Sequence, residues 1–263
     1  MKRVMLALGL VLVAALSARA DVKMTQNASG KGMGMGASTV SVTYIKGLRM
    51  RTDNTSGDTV RTTIFDVEHQ KMYIFDSKKK EADVWDMADF GKQVGTTIDP
   101  STMTASLKPN GQTKTIAGKS ATGYDMSISM PTRLGDAKSG MEMTVTLSGP
   151  TWIVKGAPGT ADFQRFYLAA AEKGFIFTDP RAAKGASGQA KAITAMYKEM
   201  AATSGVPYET EMSIKLGGDG PMAAMMSKMG GFTMTTTVQT IEAGPLADEL
   251  FAPPAGYKLS PKK

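Results

Sequence analysis

The chain contains no cysteine among its 263 residues. This excludes thiol nucleophiles, thiolate metal centres, iron–sulfur clusters and disulfide cross-links. It contains one histidine, His69, in a polar turn between Glu68 and Gln70. A single imidazole with no nucleophile elbow gives no Ser-His-Asp arrangement, and His69 reads as an exposed turn residue without a chemical role. Carboxylates are plentiful but badly spaced for chemistry. Asp83, Asp86 and Asp89 lack the dense oxygen-ligand spacing of a calcium loop. Glu209 and Glu211 lie on the polar side of an alternating segment, where solvation explains them. These absences point away from an enzyme, a resident cofactor or an ordinary metal centre.

Long apolar runs are also scarce. Lys2 and Arg3 precede an apolar stretch from Val4 to Leu16, and Ala18-Arg19-Ala20 fits a small-x-small cleavage pattern. The stretch is shorter than the roughly 20 residues that span a bilayer. Residues 1–20 therefore read as an export signal and 21–263 as one mature domain, periplasmic or secreted. No cysteine follows the apolar stretch to carry a lipid anchor, and no stable membrane insertion is expected. Of 31 basic residues, Lys2, Arg3 and Arg19 lie in the leader, leaving 28 against 24 acidic ones. That small excess is scattered, with Lys78-Lys79-Lys80 the only run, so no nucleic-acid partner is implied.

The dominant pattern is alternation of period two, the mark of half-buried strands. Val40, Val42 and Tyr44 alternate with polar residues, then Leu48 and Met50 with Arg49 and Arg51, then Val60, Thr62 and Ile64. Turns separate these from Met72-Tyr73-Ile74-Phe75 and from Ala82 to Trp85. A first strand is expected over Val22 to Ser29, and later ones at Lys114 to Ala117, Gly123 to Met130, Met141 to Leu147, Tyr208 to Leu216 and Phe232 to Ile241. Asp86 to Asn110, with Pro100 and Pro109, is less regular and has room for a short helix. Two segments switch to helical spacing: Phe163, Phe166, Tyr167 and Ala170 within Thr160 to Lys173, and Ile193, Met196, Tyr197 and Met200 within Ser187 to Thr203. Thr160 is placed to cap the first helix and Gly174 to end it. The expected fold is α+β: a large curved antiparallel sheet, an incomplete barrel, covered on one face by two or three helices.

Gly32, Gly34 and Gly36 imitate a nucleotide loop. Such a loop must open a helix so that its amides face the phosphate, and a strand follows instead, so the segment reads as a hairpin connection. Methionine is abundant, 21 in all. Met33 and Met35, or Met222, Met225, Met226 and Met229, offer soft thioethers that suit copper(I). The same 222–229 spacing is that of an amphipathic helix, and adaptable apolar filling is the simpler use of methionine.

Four stretches carry a family resemblance: Tyr44-Ile45-Lys46-Gly47-Leu48-Arg49-Met50-Arg51; Thr115-Ile116-Ala117-Gly118-Lys119 followed by Tyr124; Trp152 ahead of the helix at Thr160; and Leu250-Phe251 to Pro254-Ala255-Gly256-Tyr257-Lys258. With the order of elements, these resemble the LolA/LolB-like periplasmic carrier fold, and more closely an exported bacterial family, domain of unknown function 4412. The glycine- and methionine-rich insertions depart from that pattern. The resemblance implies an incomplete barrel with a helical lid and no catalytic residues. The expected function is non-enzymatic binding or carriage of a hydrophobic small molecule or lipid in an apolar cavity. Val42, Tyr44, Met50 and Ile64 on the sheet, Phe163, Phe166 and Tyr167 on the first helix, and Met222, Met225, Met226 and Met229 are the expected lining. Copper handling by those four methionines, or an envelope module binding a protein partner, are the alternatives.

Overall fold

Alternating residues leave one face of each strand apolar, and the chain satisfies this by hydrogen-bonding its strands into one twelve-stranded sheet. The computed structural model describes residues 21–31, 38–94, 104–134, 141–175, 177, 179–181, 187–217 and 232–262. The leader, Met33, Met35, Met222, Met225, Met226 and Met229 lie outside these residues.

Strand β1 (Val22–Lys31) lies inside the sheet. On one side it is followed by the meander β2 (Ser38–Lys46), β3 (Arg49–Ser56), β4 (Thr59–Asp66), β5 (Lys71–Asp76) and β6 (Glu81–Asp86). Helix α1 (Met87–Val94) then leads to β7 (Thr104–Ile116), β8 (Lys119–Leu134) and β9 (Met141–Lys155). Helices α2 (Thr160–Glu172) and α3 (Ser187–Ala202) form one excursion before β10 (Gly205–Gly217) and β11 (Phe232–Ala243). Strand β11 closes back on β1, so the second half runs β11-β10-β9-β8-β7. A 3-10 turn, Asp248–Phe251, carries the tail to β12 (Lys258–Lys262), which pairs parallel with β6; every other pairing among the described residues is antiparallel. The sheet stays open, with β7 and β12 at its two edges.

Two stretches differ from the sequence expectation. Strand β7 begins at Thr104 rather than near Lys114, despite Pro109 and Gly111. The break in period is absorbed by an irregularity between Pro109 and Thr113 on an edge strand, where proline is tolerated. The basic end past Tyr257, whose lysines read from the sequence alone as a frayed terminus, forms β12. The pairing sets opposite charges side by side: Lys258 lies 4.0 Å from Glu81 and Lys262 3.1 Å from Asp83.

The helices form where the period changes. Gly159, at φ +71°, precedes α2, and the Thr160 hydroxyl donates backward to the Ala157 carbonyl at 2.6 Å instead of capping the helix. Gly174 takes the expected left-handed conformation at φ +63°. Helix α2 packs on α3 and on β2 and β10, while α3 packs on β7, β8 and β10.

Candidate functional site

Residues opposite one another on neighbouring strands share a face. The register therefore draws one apolar row across six strands: Val22, Ile45, Met50, Phe65, Met72 and Trp85. Phe163, Phe166 and Ala170 of α2 close over the buried members of this row. Under α3, Met196 meets Leu107, Met126, Ile128, Met130 and Ile153. Methionine here is packing material: Met24, Met50, Met72, Met126 and Met130 are all buried.

The row one residue along faces away from the helices: Tyr44, Arg51, Ile64, Tyr73 and Val84. Val42 shares that side, opposite Asp53 and beside Thr62 and Phe75. Met50 is thus the one sheet residue of the expected lining that lies beneath the helices. Val42, Tyr44 and Ile64 are corrected to the other face, because a period of two sends adjacent register positions to opposite sides. There Ile64 packs with Phe75 and Ala82, and Tyr257 of the tail covers them, its ring 5.4 Å from Phe75. The tail continues across this face. Lys46 Nζ donates to the Leu246 carbonyl at 2.6 Å, Arg49 to Asp248 at 2.6 Å and Arg51 to the Leu250 carbonyl at 3.2 Å.

Phe163, Phe166 and Tyr167 do come together, as their helical spacing predicts. Tyr167 stacks on Tyr197 of α3 at 4.4 Å between centroids and 28° between planes, and both meet Phe177. The Tyr167 hydroxyl donates to Met50 Sδ at 3.7 Å. Burial pushes both phenols well above their ordinary range, and the neighbouring Tyr197 raises Tyr167 further. Trp85 Nε1 is the one buried side-chain polar atom without a partner among the described residues.

The face continues past α3. Leu147 and Phe232 lie opposite Ile214, Met234 opposite Met212, and Val145 opposite Leu216. Ile128 and Met130, buried under α3, lie opposite Leu147 and Val145 and place this patch on the helix side. These residues sit on interior strands yet are only half-buried.

A charged rim borders the face at β4, β6 and the segment after α2. The Asp179 carboxylate accepts from two guanidiniums: Arg181 through Nε at 3.0 Å and Nη2 at 2.9 Å, and Arg61 through Nη2. Arg181 Nη1 also reaches Asp83 Oδ2 at 3.2 Å. Pro180 is buried between these contacts. Beside them opens a cleft of about 310 Å³. Ile74 and Phe75 are its apolar lining, and Arg61, Lys79, Arg181, Asp76, Glu81 and Asp83 its charged lining. Ser260, followed by Lys258, holds the Glu81 carboxyl below the usual range. The sequence signalled none of this rim, because Arg61, Asp83 and Arg181 are far apart along the chain and sit in ordinary polar positions.

His69 is exposed in the turn between β4 and β5, as its polar surroundings predict. Its Nδ1 lies 2.8 Å from Oδ2 of the buried Asp66, whose other oxygen accepts the His69 backbone N–H at 2.9 Å. The pair orders the β4–β5 turn. Among the described residues no group of three or more His, Cys, Asp or Glu is placed to hold a metal ion. No described helix is long and apolar enough to cross a membrane. No protein-family model matches the chain, and no curated protein is significantly similar to it.

Proposed function

We propose that the protein is a non-enzymatic carrier or binding protein for a hydrophobic, lipid-like ligand held between the sheet and its helical cover. The observation behind this reading is the half-buried patch of Leu147, Met212, Ile214, Leu216, Phe232 and Met234. Interior strands bury their apolar face, and a contiguous apolar surface left partly open on them is the usual mark of a binding surface. The connectivity supports a movable cover. Helices α2 and α3 enter after Gly156 and Gly159, at φ +66° and +71°, and leave through Ser204, at φ +56°. Two short hinges thus join the whole cover to adjacent strands β9 and β10. The leader-like residues 1–20 and the sequence resemblance to LolA-like and domain of unknown function 4412 proteins agree with an exported carrier.

Native mass spectrometry of the purified chain, with titration of the fluorescent fatty acid cis-parinaric acid, tests the reading. The expected result is co-purified lipid or saturable fluorescence, weakened at least tenfold by Ile214→Asp with the fold intact by circular dichroism. No bound lipid together with no saturable fluorescence overturns it.

A further inference from the structure

The charged rim has the form of an occupied anion site. Two guanidiniums from separate parts of the chain, Arg61 of β4 and Arg181 after α2, converge on one carboxylate, that of Asp179. Paired Arg donors on a single carboxylate are the arrangement by which proteins bind carboxylate and phosphate ligands. Here the acid belongs to the protein itself, on the segment between α2 and α3. The flanking cleft of about 310 Å³ has Arg61 and Arg181 on its wall and Ile74 in its lining. Ile74 belongs to the core beneath α2, so the cleft borders the helix-covered face. The acids in its wall are already committed. Asp76 accepts from the backbone of Lys78 and Lys79, Glu81 from Ser260, and Asp83 from Arg181. Arg61 and Arg181 are half-exposed, with side-chain exposures of 49% and 43%, so a soluble head group can reach them. Exposed ion pairs of this kind are weak, and a competing acid can exchange with them.

We infer that Arg61 and Arg181 form a head-group clamp for an anionic amphiphile, and that Asp179 occupies the clamp when no ligand is bound. The ligand's carboxylate or phosphate displaces Asp179, and its apolar chain passes Ile74 toward the helix-covered face. Displacement breaks the tie between Asp179 and Arg61 of β4, while Arg181 still holds the segment to Asp83 of β6. No bond forms or breaks beyond this exchange of hydrogen bonds. The inference rests on the carrier reading and narrows its ligand to acids.

Titration of the delipidated full-length chain with cis-parinaric acid and with its neutral methyl ester tests it. The acid is expected to bind about tenfold more tightly than the ester, as a charge-assisted contact predicts. Arg61→Gln and Arg181→Gln should each abolish that preference for the acid. Asp179→Asn should strengthen acid binding, because it removes the competitor, whereas a merely structural ion pair would leave the preference untouched. Equal affinity for acid and ester, or weaker acid binding by Asp179→Asn, overturns the clamp while the carrier reading stands. Binding of neither probe overturns both.

Discussion

The side chains that decide this protein's stability sit beneath its two long helices. Phe166 is fully buried, and its ring meets Tyr167 at 5.3 Å and Phe177 at 5.6 Å. Phe166→Ala is expected to cost about 3–5 kcal/mol, read as a lower urea midpoint at constant slope. A loss below 1 kcal/mol would show that the cover is not part of the folded core. Gly159 is constrained twice. It lies at φ +71°, and an added Cβ would stand 2.1 Å from Val22 Cγ2. Gly159→Ala should therefore destabilise by about 1–3 kcal/mol, while Gly174→Ala, with nothing near its Cβ, should cost less. The stacked phenols Tyr167 and Tyr197 set a pH limit. Both are raised, so their contribution is complete below the unfolded phenol pKa of about 10 and is lost as pH rises beyond it. Tyr167→Phe with Tyr197→Phe should flatten the alkaline fall of the unfolding midpoint. An unaltered profile would assign that fall to other groups.

At the level of elements, alternation in the sequence located most strands, and helical spacing located α2 and α3. It failed where contacts distant in the chain decide the outcome. Tyr44 and Met50 belong to equally convincing strands, and only the pairing of Ile45 with Met50 and Tyr44 with Arg51 shows that they face opposite ways. Pro109 hides β7, because an edge strand tolerates what an interior one does not. The basic end past Tyr257 reads as frayed because its partners stand far back in the chain, Glu81 for Ser260 across 179 positions. The candidate site was legible in part. The helical aromatics were found, but the rim was not, since no local pattern announces that Arg61, Asp83 and Arg181 meet. The tail's contacts make it sensitive to acid. Hydrogen bonds from Arg49 and then Lys46 hold the Asp248 carboxyl below its usual range, and Ser260 with Lys258 does the same for Glu81. Depressed carboxyls stabilise above their unfolded pKa, about 4, and lose that contribution as pH falls below it. NMR signals of Leu259 and Tyr257 should move to random-coil positions in acid before those of β1. Simultaneous loss would show that the tail is not a separable element.

Across the described residues, β1 is the seam between a run of six strands that starts at β2 and a run of five that starts at β11. The two tryptophans lie on opposite sides of it, Trp85 on β6 and Trp152 on β9. Both pack in or against one apolar cluster. That continuity predicts one cooperative transition. Fluorescence unfolding curves of Trp85→Phe and Trp152→Phe, each scaled to its own stability, should match the corresponding circular dichroism curves. A second step seen by one tryptophan alone would divide the sheet into two independent units.

The place of β1 also has a consequence in time. Asp21 Oδ2 accepts the Leu246 N–H across 225 positions of chain, and Lys23 pairs with Glu242 across 219. The earliest described strand to be synthesised therefore cannot acquire its second neighbour until nearly all the rest has been made. Closing so large a loop before any contact rewards it makes assembly slow. A nascent chain of this design keeps one edge of β1 unpaired throughout elongation, and its two strand runs can join only once β11 has been made.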